Sequence, residues 1–327
     1  MQQLQLKKMF PASAPLKQRV AVIGANGHQA REYMKLMGDH WNIVALVDPN
    51  FEPSQYDNSL YQRNVGFLKM QDIDFALVCV PHHMHWEASQ FFLERNIPII
   101  KEKPLAVSLD GLQKIKSFED PAILVTTQRA FSPIFQWAHT MLEKVGVPYR
   151  FQYEYTLSVP EETKGWRGRF EYSQGGVVLD MGYHMFDVLI RFFGAPDALY
   201  GNLCYCYPST REAYLEDSAT LIYEVYQPHL NLVGTININR HGARKMEELK
   251  IFGEKGEMSI TPQRAVILDR YGEVLSQSAL PLTMDFRVQM LQEYGENLHN
   301  QQYLSTHLEH HSKIVSCIDK IYKLNRR

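Results

Sequence analysis

A chain of 327 residues, 45% hydrophobic and 21% charged, has the size and composition of a two-domain globular protein with a sizeable core. Its formal charge of −2, with Lys and Arg scattered and not in runs, provides no basic field for a nucleic acid backbone, so no nucleic acid partner is expected. No apolar run approaches the roughly 20 residues that span a bilayer, and the first residues, MQQLQLKKMFPASAPLKQ, lack a signal-peptide core, so a cytoplasmic protein without a membrane partner is expected.

Residues 1–18 are polar, carry two prolines and read as a loosely held tail. Arg19 to Ile23, RVAVI, is a β-branched apolar run that leads through GANGHQ into the helical periodicity of REYMKLMGD. Strands over Asn42 to Val47, Phe75 to Val80, Pro98 to Lys101 and Ala122 to Thr126 alternate with helices over His85 to Arg95 and Leu109 to Phe118. That alternation predicts an α/β domain over residues 19–130 with a doubly wound parallel sheet. From residue 131 the pattern changes. A helix over Ile134 to Val145 precedes strand-like runs at Arg150 to Leu157, Ala198 to Tyr207, Ser218 to Tyr226, Leu230 to Asn239, Glu247 to Phe252 and Glu257 to Ile260. These predict a second α/β domain, 131–327, with a large, mostly antiparallel sheet, closed by a helix over Tyr303 to Leu324. Cys79, Cys204, Cys206 and Cys317 show no zinc spacing and read as reduced and structural.

Three stretches carry chemistry. The first strand runs through a glycine turn into a helix, the place where free N–H groups and the helix dipole bind a dinucleotide pyrophosphate. Gly24, Asn26, Gly27, His28 and Gln29 form this loop, with Asn26 and Gln29 where the G-x-G-x-x-G fingerprint has glycine. Asp48, at the end of the second strand, is placed to accept the ribose hydroxyls of NAD and to repel the 2′-phosphate of NADP; alternatively it only forms a turn before Pro49. Next, KEKP at 101–104 sits at the carboxyl edge of the sheet, where a partly desolvated lysine can donate to a reacting oxygen; a surface charge run is the alternative. Finally, QGGVVLDMGYHMFD, 174–187, sets Asp180, His184 and Asp187 on one helical face, with Gly175 and Gly176 letting the backbone approach a ligand or a neighbouring strand. The competing reading is an amphipathic helix that buries Val178, Met181, Met185, Val188 and Leu189 and leaves its polar residues solvated.

The order of the glycine loop, CVPHHMHWEA, KEKPLAVS, TQRAFSP, GWRGRF, GGVVLDMGYHMFD and FGEKGEMSI resembles the glucose-fructose oxidoreductase and inositol dehydrogenase family, Gfo/Idh/MocA, over residues 19 to about 260. The resemblance implies a Rossmann domain that binds NAD, with NADP the lesser candidate, and a C-terminal domain whose open sheet makes a homo-oligomer interface. It implies a small-molecule substrate that is a sugar, a sugar derivative or a cyclitol. Lys103 would hydrogen-bond the substrate hydroxyl, His184 would act as acid and base, and Asp180 would orient the substrate or the histidine. Pro81 and His85, together with Glu102 and Lys103, would flank the nicotinamide, and Arg129, Trp166 and Arg167 would stand near the substrate.

The reaction expected is reversible hydride transfer between a secondary alcohol carbon and NAD, an oxidoreductase acting on CH–OH. The same fold leaves open a redox-assisted sugar elimination or hydrolysis with tightly bound NAD, and the incomplete glycine loop leaves open a non-enzymatic nucleotide-binding regulator. The histidines His82, His83 and His85 complete no recognisable metal spacing, and no metal is expected.

Overall fold

The computed structural model describes residues 17–38, 40–50, 57–280 and 285–325; most of the expected N-terminal tail, 1–16, lies outside the described residues. The chain opens with β1 (Arg19–Ile23), α1 (His28–Met37), β2 (Asn42–Val47), β3 (Tyr61–Gln62), β4 (Phe75–Val78), α2 (His85–Leu93), β5 (Ile99–Lys101), α3 (Leu109–Lys116) and β6 (Ile123–Val125). All six strands are parallel, in the order β3-β2-β1-β4-β5-β6. β1 shows why its sequence is apolar throughout. Val20 and Val22 pack on one face with Ala30, Tyr33 and Met37 of α1, whereas Ala21 and Ile23 pack on the other with Ala88 and Phe92 of α2 and Leu112 of α3. A strand covered on both faces has no side for polar residues. The strand order reverses direction between β1 and β4, and the crevice at their carboxyl ends is where open α/β sheets bind ligands.

α4 (Pro133–Thr140) follows, shorter than expected because a tighter turn, Leu142–Val145, replaces its last part. Next come β7 (Pro148–Ser158), α5 (Phe170–Ser173), a π-helical turn at Val178–Gly182 and α6 (Tyr183–Phe193). The chain continues through β8 (Ala198–Cys204), α7 (Pro208–Glu212), β9 (Ser218–Gln227), β10 (Leu230–Asn239), β11 (His241–Gly253), β12 (Gly256–Ile260), β13 (Arg264–Asp269) and β14 (Val274–Ala279). The second sheet has eight strands in the order β14-β13-β12-β11-β7-β10-β9-β8, antiparallel except between β7 and β10. Its inner face buries Phe151, Tyr153, Leu221, Tyr223, Ile236, Ile238, Leu249 and Ile251 beneath α6, and its outer face is open.

α8 (Arg287–Glu296) and α9 (Gln301–Asn325) close the chain. Although α8 follows the second sheet in sequence, Met290, Leu291 and Tyr294 pack with Val20, Val22 and Leu46 of the first. β13, β14 and α8 have no counterpart in the sequence reading. β14 is an edge strand with no fully buried residue, so its sequence, VLSQSA, shows little of the alternation that marks a half-buried strand. Among the described residues no helix is long and apolar enough to cross a membrane.

Candidate active site

A cleft of about 950 Å³ runs along the carboxyl edge of the first sheet and is closed on its far side by the second. At one end lies the turn between β1 and α1. Gly24 has φ +79°, and a Cβ there would sit 2.5 Å from the Cys79 carbonyl oxygen, so the chain can turn here only without a side chain. Gly27 donates to the Gly24 carbonyl at 2.9 Å, and no side chain caps the start of α1. The first N–H groups of α1 therefore lack an internal partner. Both amide atoms of Asn26 and Nε2 of Gln29 are buried with no partner, and Gly24, Asn26, Gly27, His28 and Gln29 all line the cleft. Unpaired N–H groups, unpaired side-chain amides and a glycine cradle fit a dinucleotide pyrophosphate. Gln29 does not lift the helix from the sheet, since Ala30, Tyr33 and Met37 remain fully buried. Asp48 follows β2 and lines the same end of the cleft; its Oδ2 accepts from the Asn26 N–H at 3.1 Å and its Oδ1 from the Asn50 N–H at 3.0 Å. The carboxylate is thus aimed and held by backbone amides.

At the other end, β5 ends at Lys101 and the chain runs on through Glu102 and Lys103, both of which line the cleft. Lys101 is buried, donates to the Leu105 carbonyl at 3.0 Å and is lowered by burial to about 7. Glu102 accepts from Tyr33 Oη at 2.6 Å and Thr126 Oγ1 at 2.9 Å, tying α1 to the end of β6. Lys103 points to the cleft and donates both to the Asp180 carbonyl, at 2.9 Å, and to the Asp180 carboxylate. Arg240 Nη2 lies 3.0 Å from Asp180 Oδ2, and Arg167 Nε lies 3.4 Å from the same oxygen. Burial alone would raise the Asp180 pKa; Lys103, Arg167 and Arg240 overcome it and hold the carboxyl well below its ordinary value.

His184 lines the cleft beside Asp180, and its Nδ1 is buried without a partner. Burial first, then the charges of Arg129 and Lys103, depress its pKa well below 6.5, so the imidazole is neutral at neutral pH. Asp187, expected on the same face, is elsewhere. It is 1% exposed and bound to Arg191 at 3.0 Å and His310 at 2.7 Å. The π-helical turn is the local irregularity that breaks the simple helical register across this motif. Gly175 and Gly176 also serve structure and not a ligand. The Gly176 N–H donates to Glu216 Oε2 at 3.2 Å and the Val178 N–H to Oε1 at 3.0 Å, while Tyr322 holds Oε1 at 2.7 Å. Gln174, just before them, takes the left-handed conformation, φ 58°, that glycine adopts freely.

Pro81 lines the cleft, but His85 does not; it lies behind the wall with its ring nitrogens 3.2 Å from the Pro104 carbonyl and 2.9 Å from that of Val80. His85 therefore ties the Pro81 turn to the KEKP loop. Arg129 is likewise outside the cleft lining, paired with Glu247 through two contacts and 5.0 Å from the centroid of the Tyr155 ring. Trp166 and Arg167 line the cleft, the guanidinium 4.2 Å over the indole and the indole edge-on to His82 at 4.8 Å. His82, Tyr155 and Arg240 were not among the expected site residues. His82 could have been found beside Pro81 in CVPHH, and Tyr155 by strand alternation, whereas Arg240 at the end of β10 carries no motif. Among the described residues no group of three or more His, Cys, Asp or Glu is placed to hold a metal ion.

The buried imidazoles make acid sensitivity a test of this packing. Burial, then Lys103, lowers His82 to about 3; burial, then Arg191, lowers His307 to about 3; His85, His184 and His311 are also lowered well below 6.5 by burial. Because the folded pKa lies below the unfolded one, these groups contribute stability that is present above pH 6.5 and is lost as pH falls toward about 3. The urea midpoint is expected to drop steadily between about pH 7 and about pH 4. A midpoint that stays level over that interval contradicts neutral burial of these rings.

The parallel sheet with its uncapped helix start, facing a lysine, a carboxylate and an imidazole across one cleft, fits the class of dinucleotide-binding enzymes. The chain belongs to the Gfo/Idh/MocA family. Residues 18–123 match the family's NAD-binding Rossmann-fold oxidoreductase domain and residues 135–259 match its C-terminal domain. NAD is accordingly its cofactor. A curated relative, the putative UDP-kanosamine synthase oxidoreductase subunit of Amycolatopsis mediterranei (strain S699), is 23% identical over 186 residues, covering 54% of this chain and 52% of that protein. The match therefore spans about half the length of that relative. Among solved structures, the WlbA dehydrogenase from Bordetella pertussis, in complex with NADH and UDP-GlcNAcA, aligns with TM-score 0.75 and 17% identity over 94% of this chain and 96% of that one. A myo-inositol dehydrogenase from Corynebacterium glutamicum aligns with TM-score 0.72 and 16% identity over 94% of this chain and 97% of that one. At such identities these likenesses speak for the fold alone.

Proposed function

We propose that the protein is an NAD-dependent dehydrogenase that oxidises a secondary alcohol of a sugar, sugar derivative or cyclitol, or reduces the corresponding ketone. The observation that carries this reading is the meeting of Lys103, Asp180 and His184 on the wall of the cleft that also holds the uncapped start of α1. Bound NAD supplies the hydride acceptor. As the C–H hydride leaves with its electron pair, the hydroxyl proton passes to the neutral imidazole of His184, leaving a carbonyl. Asp180 and Asp187 favour the imidazolium and so offset part of the cost of burying it. Lys103, fixed by two bonds to Asp180, presents positive charge to the oxygen as it becomes an alkoxide. Trp166 supplies an apolar wall for a sugar face, and related proteins of this fold were solved with UDP-GlcNAcA and with levoglucosan.

The labour divides near residue 130: residues 19–130 hold the cofactor, and residues 131–327 supply Trp166, Arg167, Asp180 and His184. The strand register places the exposed Tyr200, Tyr226, Val233 and Met246 on the open outer face of the second sheet, which supports a homo-oligomer built through that face. Asp48, held by two amides at the cleft, supports NAD over NADP, because a 2′-phosphate would meet a like charge. Titration of cofactor-stripped protein, followed by nicotinamide fluorescence, is expected to show NADH binding at least about tenfold more tightly than NADPH. Equal affinity overturns the role of Asp48, and absence of binding by either overturns the reading as a whole.

A further inference from the structure

Three cations converge on one carboxylate at the substrate end of the cleft. Lys103 takes one oxygen of Asp180, while Arg240 at 3.0 Å and Arg167 at 3.4 Å share the other. Among the described residues no second carboxylate forms an ion pair with any of the three. The neighbouring acids are engaged elsewhere: Glu102 with Tyr33 and Thr126, Glu247 with Arg129, and Asp187 with Arg191 and His310. Asp48 and the exposed Glu87 also line the cleft, but neither pairs with these cations. The arrangement leaves two positive charges in excess beside His184.

Arg167 is the cation free to meet a ligand. Its side chain is 47% exposed, whereas Lys103 and Arg240 are 9% and 7% exposed. It is also held in place. The guanidinium stacks 4.2 Å over Trp166, Trp166 packs on His82, and His82 Nδ1 lies 2.7 Å from the Ser173 carbonyl. Its only polar protein contact is through Nε, so its outer N–H groups meet no protein acceptor among the described residues. A guanidinium ordered by stacking, with its outer N–H pair unclaimed, matches the planar geometry of a carboxylate or a phosphoryl group. A neutral polyol would leave both excess charges uncompensated.

We infer that the substrate of this site is an anionic sugar, whose carboxylate or phosphoryl group is bound by Arg167 while a hydroxyl lies at Lys103 and His184. The inference rests on the dehydrogenase reading above and narrows it. Arg167 is then a specificity-determining residue, and the uronate and sugar phosphate forms of the ligand share one recognition chemistry.

The test is calorimetric titration of the NADH-loaded protein and its Arg167→Gln variant with D-glucuronate, D-glucose 6-phosphate, D-glucose and myo-inositol. At least one anionic sugar is expected to bind about tenfold or more tightly than both neutral ones, with the preference shrinking as salt is raised. Arg167→Gln is expected to reduce that preference to within about threefold and to leave NADH affinity unchanged. Preference for glucuronate alone assigns a carboxylate, and preference for glucose 6-phosphate alone a phosphoryl group. Neutral sugars that bind as well as the anions and are turned over overturn this inference and leave the dehydrogenase reading standing. A preference that survives Arg167→Gln overturns the role of Arg167. NADH-loaded protein that binds none of the four sugars overturns both readings.

Discussion

Replacing Lys103 with methionine is expected to lower turnover by about 10²–10³-fold, and His184→Ala by about 10²–10⁴-fold, with NADH affinity within about threefold of wild type in each. Lys103 reaches the cleft from the end of β5 and is held by the carbonyl and carboxylate of Asp180, so its charge is fixed before any substrate arrives. A donor already in place gains energy only when the substrate oxygen takes up negative charge, and its loss therefore falls on turnover more than on binding. Lys103→Met keeps the length of the stem, and Asp180 retains Arg240 and Arg167, so the fold has no new uncompensated carboxylate. His184 acts differently. Its ring is neutral because burial disfavours the imidazolium, and in the proposed mechanism removing it takes away the proton acceptor and not a charge. The alcohol-oxidation rate of wild type is expected to keep its full value well below pH 6.5, since the base form persists there. Steady-state rates with a sugar that wild type oxidises, alongside NADH titrations, check these roles; turnover within about threefold of wild type in either variant removes that residue from the mechanism.

Glu247→Ala is expected to cost about 3–5 kcal/mol of stability, because it strands a buried guanidinium. Arg129 stands between β6 and α4, Glu247 lies in β11 of the second sheet, and their side chains are 14% and 5% exposed. The pair is bidentate, with Tyr153 Oη donating to the same carboxylate at 2.8 Å. Removing one partner leaves a largely buried charge without its carboxylate, whereas removing both leaves only a void. The double variant Arg129→Met with Glu247→Leu is therefore expected to recover most of the loss. Urea denaturation of the three variants measures both effects. A single variant within about 1 kcal/mol of wild type would show that this pair is solvated and does not tie the two sheets together. Arg129 also lies close enough to His184 to depress its pKa, so the single variant is expected to shift the pH dependence of turnover as well.

What local chemistry dictates was legible in the chain. The apolar runs of β1, β2 and β4 announce a sheet buried on both faces, Gly24 marks the turn into α1, and KEKP falls at the carboxyl edge because β5 ends there. The spacing of Asp180 and His184 places both on one wall, and the order of these motifs identifies the family. Helical periodicity sees neighbours four residues away and no further. It could not foresee the π-helical turn that accompanies the departure of Asp187 toward Arg191 and His310, a partner 123 residues later. Gly175 is opposed by Tyr322, Gly176 by Glu216, Arg129 by Glu247, and Asp180 by Arg240, separations of 40 residues or more that carry no local signature. Sequence by itself thus determined the first sheet, the glycine loop and three candidate groups, Lys103, Asp180 and His184, that meet at one cleft, all of which follow from backbone propensity and short spacings. Only tertiary packing decided which charges surround them, because ion pairs and burial are set by strands and helices brought together from distant parts of the chain.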